Sequence, residues 1–444
     1  MINTALYRLG LREAAHAIRS GDLTSAALTR ALLERIWDRE DMVQAFQWID
    51  RERALALAGE ADDRQRSGAR LGPLHGIGIG IKDIVETEGI PTGMGSPVFA
   101  GFVPRRSAEV VRRLEGAGAI VIGKTVTAEF AFYTPGKARN PWNPAHTPGG
   151  SSSGSAAAVA AGFVSAAIGT QTNGSVIRPA AFCGVVGFKP TAGAISLDGI
   201  HPFSPSLDQV GVFARSVPDA ALMAAVLAAH GDPTATVTGE IASLAVAPRL
   251  AAVRSPVWHL ADAPAQKHFL DTVERLRAAG ASVEDRVLPK VFEDAHAVHR
   301  TIMWAEGARV FAELQRRERQ RLSFRLNALI DEGAAIAPFE LNRALAQKAE
   351  LAADLHVFFN GFDGIITLAA PGEAPADLSG TGDPAFCTIW TLCGVPAITL
   401  PAGKGPQGLP IGLQIVSPIS SDDHLLATAQ WCDQKIGWPH RVAE

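Results

Sequence analysis

Residues 149–179 read GGSSSGSAAAVAAGFVSAAIGTQTNGSVIRP, a stretch that is rich in Gly and Ser at its ends and in Ala between them. Glycine has no Cβ, so the run at 149–155 allows backbone to approach another segment or a ligand closely. Alanine is the best helix former, and the sequence therefore predicts a buried helix from Ser155 to Ile168. A second polar loop is predicted from Gly169 to Ser175. Two hydroxyl-bearing loops joined by a helix indicate a site, although two ordinary Gly/Ser connectors would have the same composition.

The segments around this stretch alternate between strand and helix patterns. Gly76–Ile81 alternates Gly and Ile, which predicts a strand that delivers Lys82 and Asp83 at its end. Elsewhere the patterns predict strands at 119–122, 182–188, 250–253, 283–288, 364–369, 395–400 and 411–416, and helices at 266–280, 291–316 and 338–359. The Gly/Pro/Thr-rich run Gly231–Glu240 predicts an exposed connector. This alternation indicates one large α/β domain.

The composition excludes several classes of partner and location. The chain has 444 residues, of which 47% are hydrophobic and 19% charged, and this predicts a large buried core. A net charge of −4 gives no electrostatic basis for binding nucleic acid or a membrane surface. Four cysteines without metal-ligand spacing favour a reducing cytosol. Charges interrupt the apolar residues of the N-terminal segment and no long apolar run follows, so we expect a cytoplasmic protein without signal peptide or membrane span.

Several common catalytic motifs are missing. The run Gly76–Gly80 is not a GxGxxG that opens a helix, and the loop at 149–155 lacks the Gly-Lys-Ser/Thr of a phosphate-binding loop. Ser175 does not lie in a GxSxG nucleophile elbow. His296 and His299 are three residues apart on a predicted helix, but no acidic third ligand has convincing spacing. The sequence therefore predicts neither a metal site nor a cofactor.

Three residues remain as candidates for chemistry: Lys82 at a strand end, Ser151 in the first loop and Ser175 in the second. A serine hydroxyl is a poor nucleophile until a base removes its proton. Lysine can be that base if burial lowers its pKa from about 10.4 toward neutrality. Asp83 would oppose this by pairing with Lys82, but adjacent residues of a strand point to opposite faces. Judged from the residues alone, Lys82 is one of many lysines.

Residues 149–179 resemble the signature of the amidase signature family, the Ser-cisSer-Lys amidohydrolases. Further motifs of that family are, in chain order, Gly76–Asp83, Gly123-Lys-Thr, Asn140-Pro-Trp-Asn-Pro, Cys183–Pro190 and Gly408–Gln414. The resemblance extends over nearly the whole chain. It implies a single α/β amidase domain over residues 1–444, with a central mixed sheet covered by helices on both faces. The catalytic core would lie near 70–230 and 360–430, and a more variable helical part near 290–360.

The resemblance also implies roles for individual residues. Ser175 would be the acyl-forming nucleophile, Ser151 the bridging serine after a cis peptide bond, and Lys82 the terminal base. The oxyanion hole and the support of the proton relay would come from Thr172, Asn173, Gly174 and Ser152. The family implies no metal and no cofactor, a small-molecule amide as substrate, and a homodimer.

Three departures from the family pattern set this chain apart. The family usually has Asp or Glu at Gln171, and Gly or Ala at Asn173, where we expect a left-handed backbone because Asn tolerates it. The run Ser175-Val-Ile-Arg178, together with GTQT before it and Thr381-Gly-Asp-Pro384, is similar to the malonamidase branch, in which the arginine binds a substrate carboxylate. Arg178 would then face the acyl pocket, or alternatively satisfy carbonyls of the Asn173 loop. The resemblance also suggests Gln171, Gly150 and Tyr133 as substrate-binding residues.

The sequence therefore predicts a cofactor-free serine amidohydrolase that cleaves a carboxylic amide C–N bond through an acyl-enzyme. Small or carboxylate-bearing amides are the expected substrates, and aryl amides, carbamates and esters are further substrate classes. The alternative is the A-type amidotransferase subunit of a tRNA-dependent amidation complex. Val126 disfavours that alternative, because Asn usually follows Gly-Lys-Thr in those proteins.

Overall fold

The computed structural model describes residues 6–228, 239–439 and 441–444. Residues 231–238 of the predicted connector lie outside this described part. The strands are β1 Phe46–Ile49, β2 Gly78–Lys82, β3 Ile120–Thr125, β4 Ala166–Gln171, β5 Val186–Lys189, β6 Gln209–Ala214, β7 Arg249–Val253, β8 Ser282–Arg286, β9 Gly364–Leu368, β10 Ala397–Lys404 and β11 Pro410–Val416. The α-helices are α1 Leu11–Ser20, α2 Ser25–Val43, α3 Arg51–Arg66, α4 Glu109–Gly116, α5 Ser153–Ala160, α6 Ile177–Cys183, α7 Val217–Ala228, α8 Ala263–Ala278, α9 Ala295–Glu318, α10 Phe324–Ala334, α11 Pro338–Phe358, α12 Ala385–Leu392 and α13 Asp422–Ile436.

The described strands form a single mixed sheet in the order β1-β3-β2-β4-β6-β5-β10-β11-β9-β7-β8. Strand β2 is parallel to β3 and β4, whereas the central strands from β4 to β9 pair antiparallel. Consecutive residues of β4 point to opposite faces, and Ala167 and Ile168 accordingly belong to two different apolar clusters. Both faces of the sheet are therefore covered. The predicted single-domain α/β fold with a mixed sheet is confirmed.

The predicted helix from Ser155 to Ile168 is wrong in its second half. Helix α5 ends at Ala160, Gly162 takes a left-handed conformation with φ 74°, and the chain returns as strand β4. Gly169–Gln171 is accordingly strand and not loop. Helix propensity is overridden because every position of β4 is buried in the sheet, and some of its neighbours approach closely enough to require a small residue. A Cβ on Gly169, for example, would lie 2.6 Å from Ser152 Oγ.

A second difference concerns 182–188, predicted as one strand. Its first two residues complete helix α6, Gly184 reverses the chain with φ 68°, and only Val186–Lys189 is strand. Strands β1 and β6 and helix α10 were not predicted from the sequence. The short strand β1 lies at the edge of the sheet, where only one neighbour supplies hydrogen bonds.

Helix α5 begins so close to the residues that flank strands β1 and β3 that Gly154 can carry no side chain. A Cβ there would lie 2.2 Å from Ala45 O and 2.3 Å from Val126 N, both backbone atoms. We expect Gly154→Ala to lower the free energy of unfolding by about 2 kcal/mol or more, because the backbone must shift. Gly59, in helix α3, is the matched control, since an added Cβ meets nothing within 4 Å. Gly59→Ala should raise stability by about 0.5–1 kcal/mol. Equal effects of both substitutions in denaturant titrations would contradict this packing.

Candidate active site

Strand β2 ends at a lysine with no access to solvent. All five of its residues are buried, and Lys82 is 0% exposed. Its Nζ lies 2.8 Å from Ser151 Oγ and 2.8 Å from Thr170 Oγ1. Desolvation lowers the pKa of Lys82 well below its ordinary value of 10.5, and the more distant charge of Asp208 offsets this only in part. An amine in this state can accept a proton from a hydroxyl.

Asp83 does not pair with Lys82. Its Oδ2 accepts a hydrogen bond from Gly93 N at 3.0 Å, and its Oδ1 lies 3.7 Å from Nζ of Lys124. Lys124 itself donates to Val85 O and to a threonine hydroxyl. Lys189, the other buried lysine near the sheet, donates to Gln209 Oε1 and Val395 O. Both of these lysines connect neighbouring segments through hydrogen bonds, and none of these hydrogen bonds involves Ser151 or Ser175.

The first loop places Ser151 against Lys82. The peptide bond between Gly150 and Ser151 is cis, the bond that the resemblance implies. Ser152 Oγ accepts from Thr170 N at 3.2 Å and donates to Thr170 O at 3.1 Å, so it fastens the loop to β4. Ser152 thus supports the pair of Lys82 and Ser151 through the backbone of Thr170. The hydroxyl of Thr170 itself contacts Lys82 and was not predicted as a site residue.

The second loop carries Ser175 between β4 and α6. The buried side chain of Gln171 holds this loop by hydrogen bonds. Gln171 Oε1 accepts from Val176 N at 2.8 Å and Ile177 N at 3.0 Å, and its Nε2 donates to Thr391 Oγ1 at 2.9 Å. Gln171 is 1% exposed and does not line the cleft. The suggestion that it binds substrate is therefore wrong. Its burial beneath the loop makes it a residue that positions the loop.

Thr172 and Asn173 are held from three directions. Thr172 Oγ1 donates to Asp208 Oδ1 at 2.6 Å, and Thr172 O lies 2.9 Å from His299 Nε2. Asn173 Oδ1 accepts from Thr388 Oγ1 at 2.8 Å. The expected left-handed backbone at Asn173 is wrong, because the described non-glycine residues with positive φ do not include it. Side-chain hydrogen bonds hold this loop, so no special backbone conformation is needed.

His296 and His299, the two histidines considered as metal ligands, contact two different backbone carbonyls. His299 reaches the Thr172 carbonyl, and His296 Nε2 lies 3.0 Å from Ala385 O. Burial lowers the pKa of His299 to about 4, so it is neutral at physiological pH. Among the described residues, no group of three His, Cys, Asp or Glu side chains could hold a metal ion. In the same part of the chain, no helix has the length and apolar character to cross a membrane.

A small cleft brings most of the predicted residues together. Its wall includes Ser151, Thr172, Asn173, Gly174, Ser175, Arg178 and Tyr133. Thr381, from the run that resembles the malonamidase branch, also lines it, as does Met303 of α9, to which no sequence signal pointed. Lys82 and Ser152 lie behind this wall. A larger cavity of about 420 Å³ is lined by Trp48, Asp83 and Thr127, but it contains neither Ser151 nor Ser175.

Arg178 is buried in the cleft wall with only part of its guanidinium satisfied. Its Nη2 donates to Gly150 O at 2.6 Å and to Thr381 Oγ1 at 3.2 Å. Its Nε and Nη1 have no hydrogen-bond partner within the described structure. Desolvation lowers the pKa of Arg178 from its ordinary 12.5. The guanidinium thus contacts the Gly150 carbonyl, whereas the alternative stated from the sequence was a contact with carbonyls of the Asn173 loop. Gly150, suggested as a substrate-binding residue, uses its carbonyl to hold Arg178.

A buried lysine, a serine against it and a second serine in the adjoining cleft form the arrangement expected of a serine hydrolase that uses lysine as base. The Amidase family profile matches residues 27–426, and the chain belongs to this family. It is thus an amidase, a hydrolase that acts on C–N bonds.

Individual relatives cover nearly the whole chain. The A-type subunit of the glutamyl-tRNA(Gln) amidotransferase of Chloroflexus aggregans is 34% identical, over 99% of this chain and 98% of the relative. The peptide amidase of Stenotrophomonas maltophilia has a similar structure, with a TM-score of 0.85 at 30% identity over 100% and 99% of the two chains. Another amidase crystal structure has a TM-score of 0.87 at 30% identity, over 97% and 100%. The family resemblance is confirmed, whereas these relatives do not single out the malonamidase branch.

The state of Lys82 predicts the pH dependence of catalysis. If the neutral amine is the base, kcat/KM should fall as the pH drops through the pKa of Lys82 and should level off above it. Because burial lowers that pKa, the acid limb should lie well below 10.5. A pH–rate profile with any small amide measures this. An acid limb at the ordinary lysine value would contradict the buried-base arrangement.

Proposed function

We propose that this protein is a serine amidohydrolase that forms an acyl-enzyme on Ser175. The observation that supports this most is the desolvated Lys82 amine, 2.8 Å from the hydroxyl of Ser151, at a cleft that also contains Ser175. A neutral amine and two hydroxyls form a chain along which one proton can move. No other described lysine has a serine hydroxyl of this cleft within hydrogen-bond distance.

In the proposed acylation, Lys82 Nζ accepts the proton of Ser151, which takes the proton of Ser175. Ser175 Oγ attacks the amide carbonyl and forms a tetrahedral oxyanion. Gln171 occupies the N–H groups of Val176 and Ile177, so we assign the preceding N–H groups, from Asn173 to Ser175, to the oxyanion. The loop contacts of Thr172 and Asn173 keep these N–H groups in place.

The same proton chain completes the reaction. The lysine proton returns through Ser151 to the nitrogen of the tetrahedral intermediate, the C–N bond breaks, and the amine leaves. Water then donates a proton to the relay and attacks the acyl-enzyme, which releases the carboxylic acid and regenerates Ser175. Because the acyl-enzyme does not depend on the leaving atom, aryl amides, carbamates and esters fit the same route.

We further propose that the acyl group is small and carries a carboxylate, as the likeness of the Ser175–Arg178 run to malonamidases suggests. Arg178 supports this, because two of its nitrogens are buried in the cleft wall without a partner. A buried unsatisfied donor costs about 1–3 kcal/mol, and more when the group is charged. A substrate carboxylate at this guanidinium would supply the charge-assisted hydrogen bond that the unpartnered nitrogens lack. The remaining nitrogen, Nη2, donates a hydrogen bond to Gly150 O and so has a structural role.

A second candidate function is that of the A-type component of a tRNA-dependent amidotransferase. The names of the curated relatives support this function better than the free hydrolase. In that case the chain would be one component of a complex that acts on a tRNA. For the hydrolase we propose instead a cytoplasmic homodimer that binds no nucleic acid. The alignment with the Chloroflexus protein spans 485 positions, more than the 444 residues of this chain, so positions of that relative have no counterpart here. The residues Gln171, Asn173 and Val126 favour the hydrolase.

Activity of the isolated chain discriminates between these two functions. The purified protein, without partner or tRNA, should release ammonia or amine from simple amides, and its mass in solution should be that of a homodimer. A panel of aliphatic, dicarboxylic, aryl and carbamate substrates would identify the preferred class. Turnover that appears only after addition of partner proteins and tRNA would favour the amidotransferase.

Removal of the nucleophile should abolish turnover in the isolated chain. Ser175→Ala should lower kcat by at least about 10³-fold, because the remaining groups cannot form an acyl-enzyme. Ser155→Ala is the matched control, since Ser155 lies in the same stretch, is buried, and donates to Ile168 O, away from the cleft. Ammonia release measures both variants. Full ammonia release by Ser175→Ala would contradict the assignment.

Arg178 should discriminate between charged and neutral acyl groups. We expect Arg178→Ala to lower kcat/KM for malonamate about 10- to 100-fold more than for butyramide, because a charged hydrogen bond is lost only with the first substrate. Arg178→Lys keeps the charge and should recover part of the malonamate activity. Equal losses on both substrates in steady-state kinetics would show that Arg178 acts only through Gly150.

A further inference from the structure

Asn173 lines the cleft immediately before Gly174 and Ser175, and its side chain interacts with Tyr133, another residue of the cleft wall. The backbone at Asn173 has no positive φ, so nothing in its conformation calls for Asn or Gly. What distinguishes this position is therefore the side chain. It places an amide group in the cleft beside the nucleophile.

Two threonines of helix α12 fix this amide group. Thr388 Oγ1 donates to Asn173 Oδ1 at 2.8 Å, and one turn later Thr391 Oγ1 donates to Asn173 O. Because Thr391 receives the amide hydrogen of Gln171, its own proton is directed at Asn173. The side-chain oxygen of Asn173 is committed to Thr388, which leaves the NH₂ group for other partners. The Tyr133 hydroxyl is one such partner.

The cleft has almost no spare volume around this group. Its cavity volume is about 10 Å³, which is roughly the space of one water molecule. Asn173, Tyr133 and Met303 all contribute to this small size. A single methylene group that a pocket must accommodate or reject is worth about 10- to 200-fold in kcat/KM. A rigid side chain at this position therefore has a direct effect on which acyl groups enter.

We infer that Asn173 is a specificity-determining residue, which restricts the acyl group to a short chain and offers its NH₂ group to a polar end of that chain. The inference rests on the proposed acyl-enzyme at Ser175. It adds to that proposal the residue that limits acyl length. Thr388 is then a positioning residue, which acts through Asn173.

A series of p-nitrophenyl esters tests the inference, because ester acylation reports on acyl length whatever the natural leaving group is. The acetate, butyrate and hexanoate esters are compared in wild type, Asn173→Ala and Thr388→Val. We expect the hexanoate-to-acetate ratio of kcat/KM to rise about tenfold or more in Asn173→Ala. Thr388→Val keeps the amide but frees it to move, so the ratio should rise by a smaller factor.

An equal fall for all three esters in Asn173→Ala would overturn the inference, since Asn173 would then act only on the loop and the oxyanion. If Asn173→Ala loses its fold in thermal melts, Asn173→Ser provides the readout, with an intermediate ratio as the expected result and an unchanged ratio as the contrary one. Ser175→Ala separates the two proposals. Wild-type ester turnover no higher than that of Ser175→Ala would remove the proposed function itself, and this inference with it.

Discussion

The burial of one amine at the end of strand β2 is the constraint on which the rest of the site depends. Water stabilises an ammonium ion strongly, so a lysine enclosed without a carboxylate partner favours its neutral form. Lys82 contacts only uncharged groups, the hydroxyls of Ser151 and Thr170 and, at 3.5 Å, the Thr170 carbonyl. Lys124, on the neighbouring strand, is equally buried but lies 3.7 Å from Asp83, and its pKa falls only to about 8. Two buried lysines thus differ because Lys124 has a carboxylate at ion-pair distance, whereas the charge of Asp208 acts on Lys82 only from farther away.

The loop that carries Ser175 depends on a chain of hydrogen bonds that only an amide can complete. Gln171 accepts two backbone N–H groups with its oxygen and donates to Thr391 with its nitrogen, and Thr391 in turn donates to Asn173 O. A carboxylate at Gln171 has no hydrogen to donate, so it would compete for the proton of Thr391. Gln171 and Asn173, both departures from the family pattern, each make a side-chain hydrogen bond to helix α12. They form one unit with helix α12, which a reading of each residue alone does not reveal.

The sequence predicted the class of fold and the elements of the sheet that have strong patterns, such as β2, β7 and β9 to β11. It failed where tertiary packing overrides local preference, as in β4, whose alanines are typical of helix. The residues of the site that lie within motifs, Lys82, Ser151 and Ser175, could be placed before the structure was known. Met303 and His299 could not, because they approach the cleft from helix α9, more than a hundred residues away in sequence. Nor could the sequence show that Gln171 lies beneath the loop. Neighbouring residues of a strand point to opposite faces, and the sequence does not show which face is turned to the cleft.

The central claim is that Lys82 is uncharged in the folded protein at the pH at which the enzyme works. Its most direct test is an NMR titration of protein labelled with ¹³C at lysine Cε, with Lys82→Met used to assign the resonance. We expect the Lys82 resonance to titrate with a midpoint well below 10.5, or to keep the shift of a neutral amine throughout the range in which the fold is stable. A resonance that stays protonated until the pH approaches 10.5 would contradict a neutral Lys82.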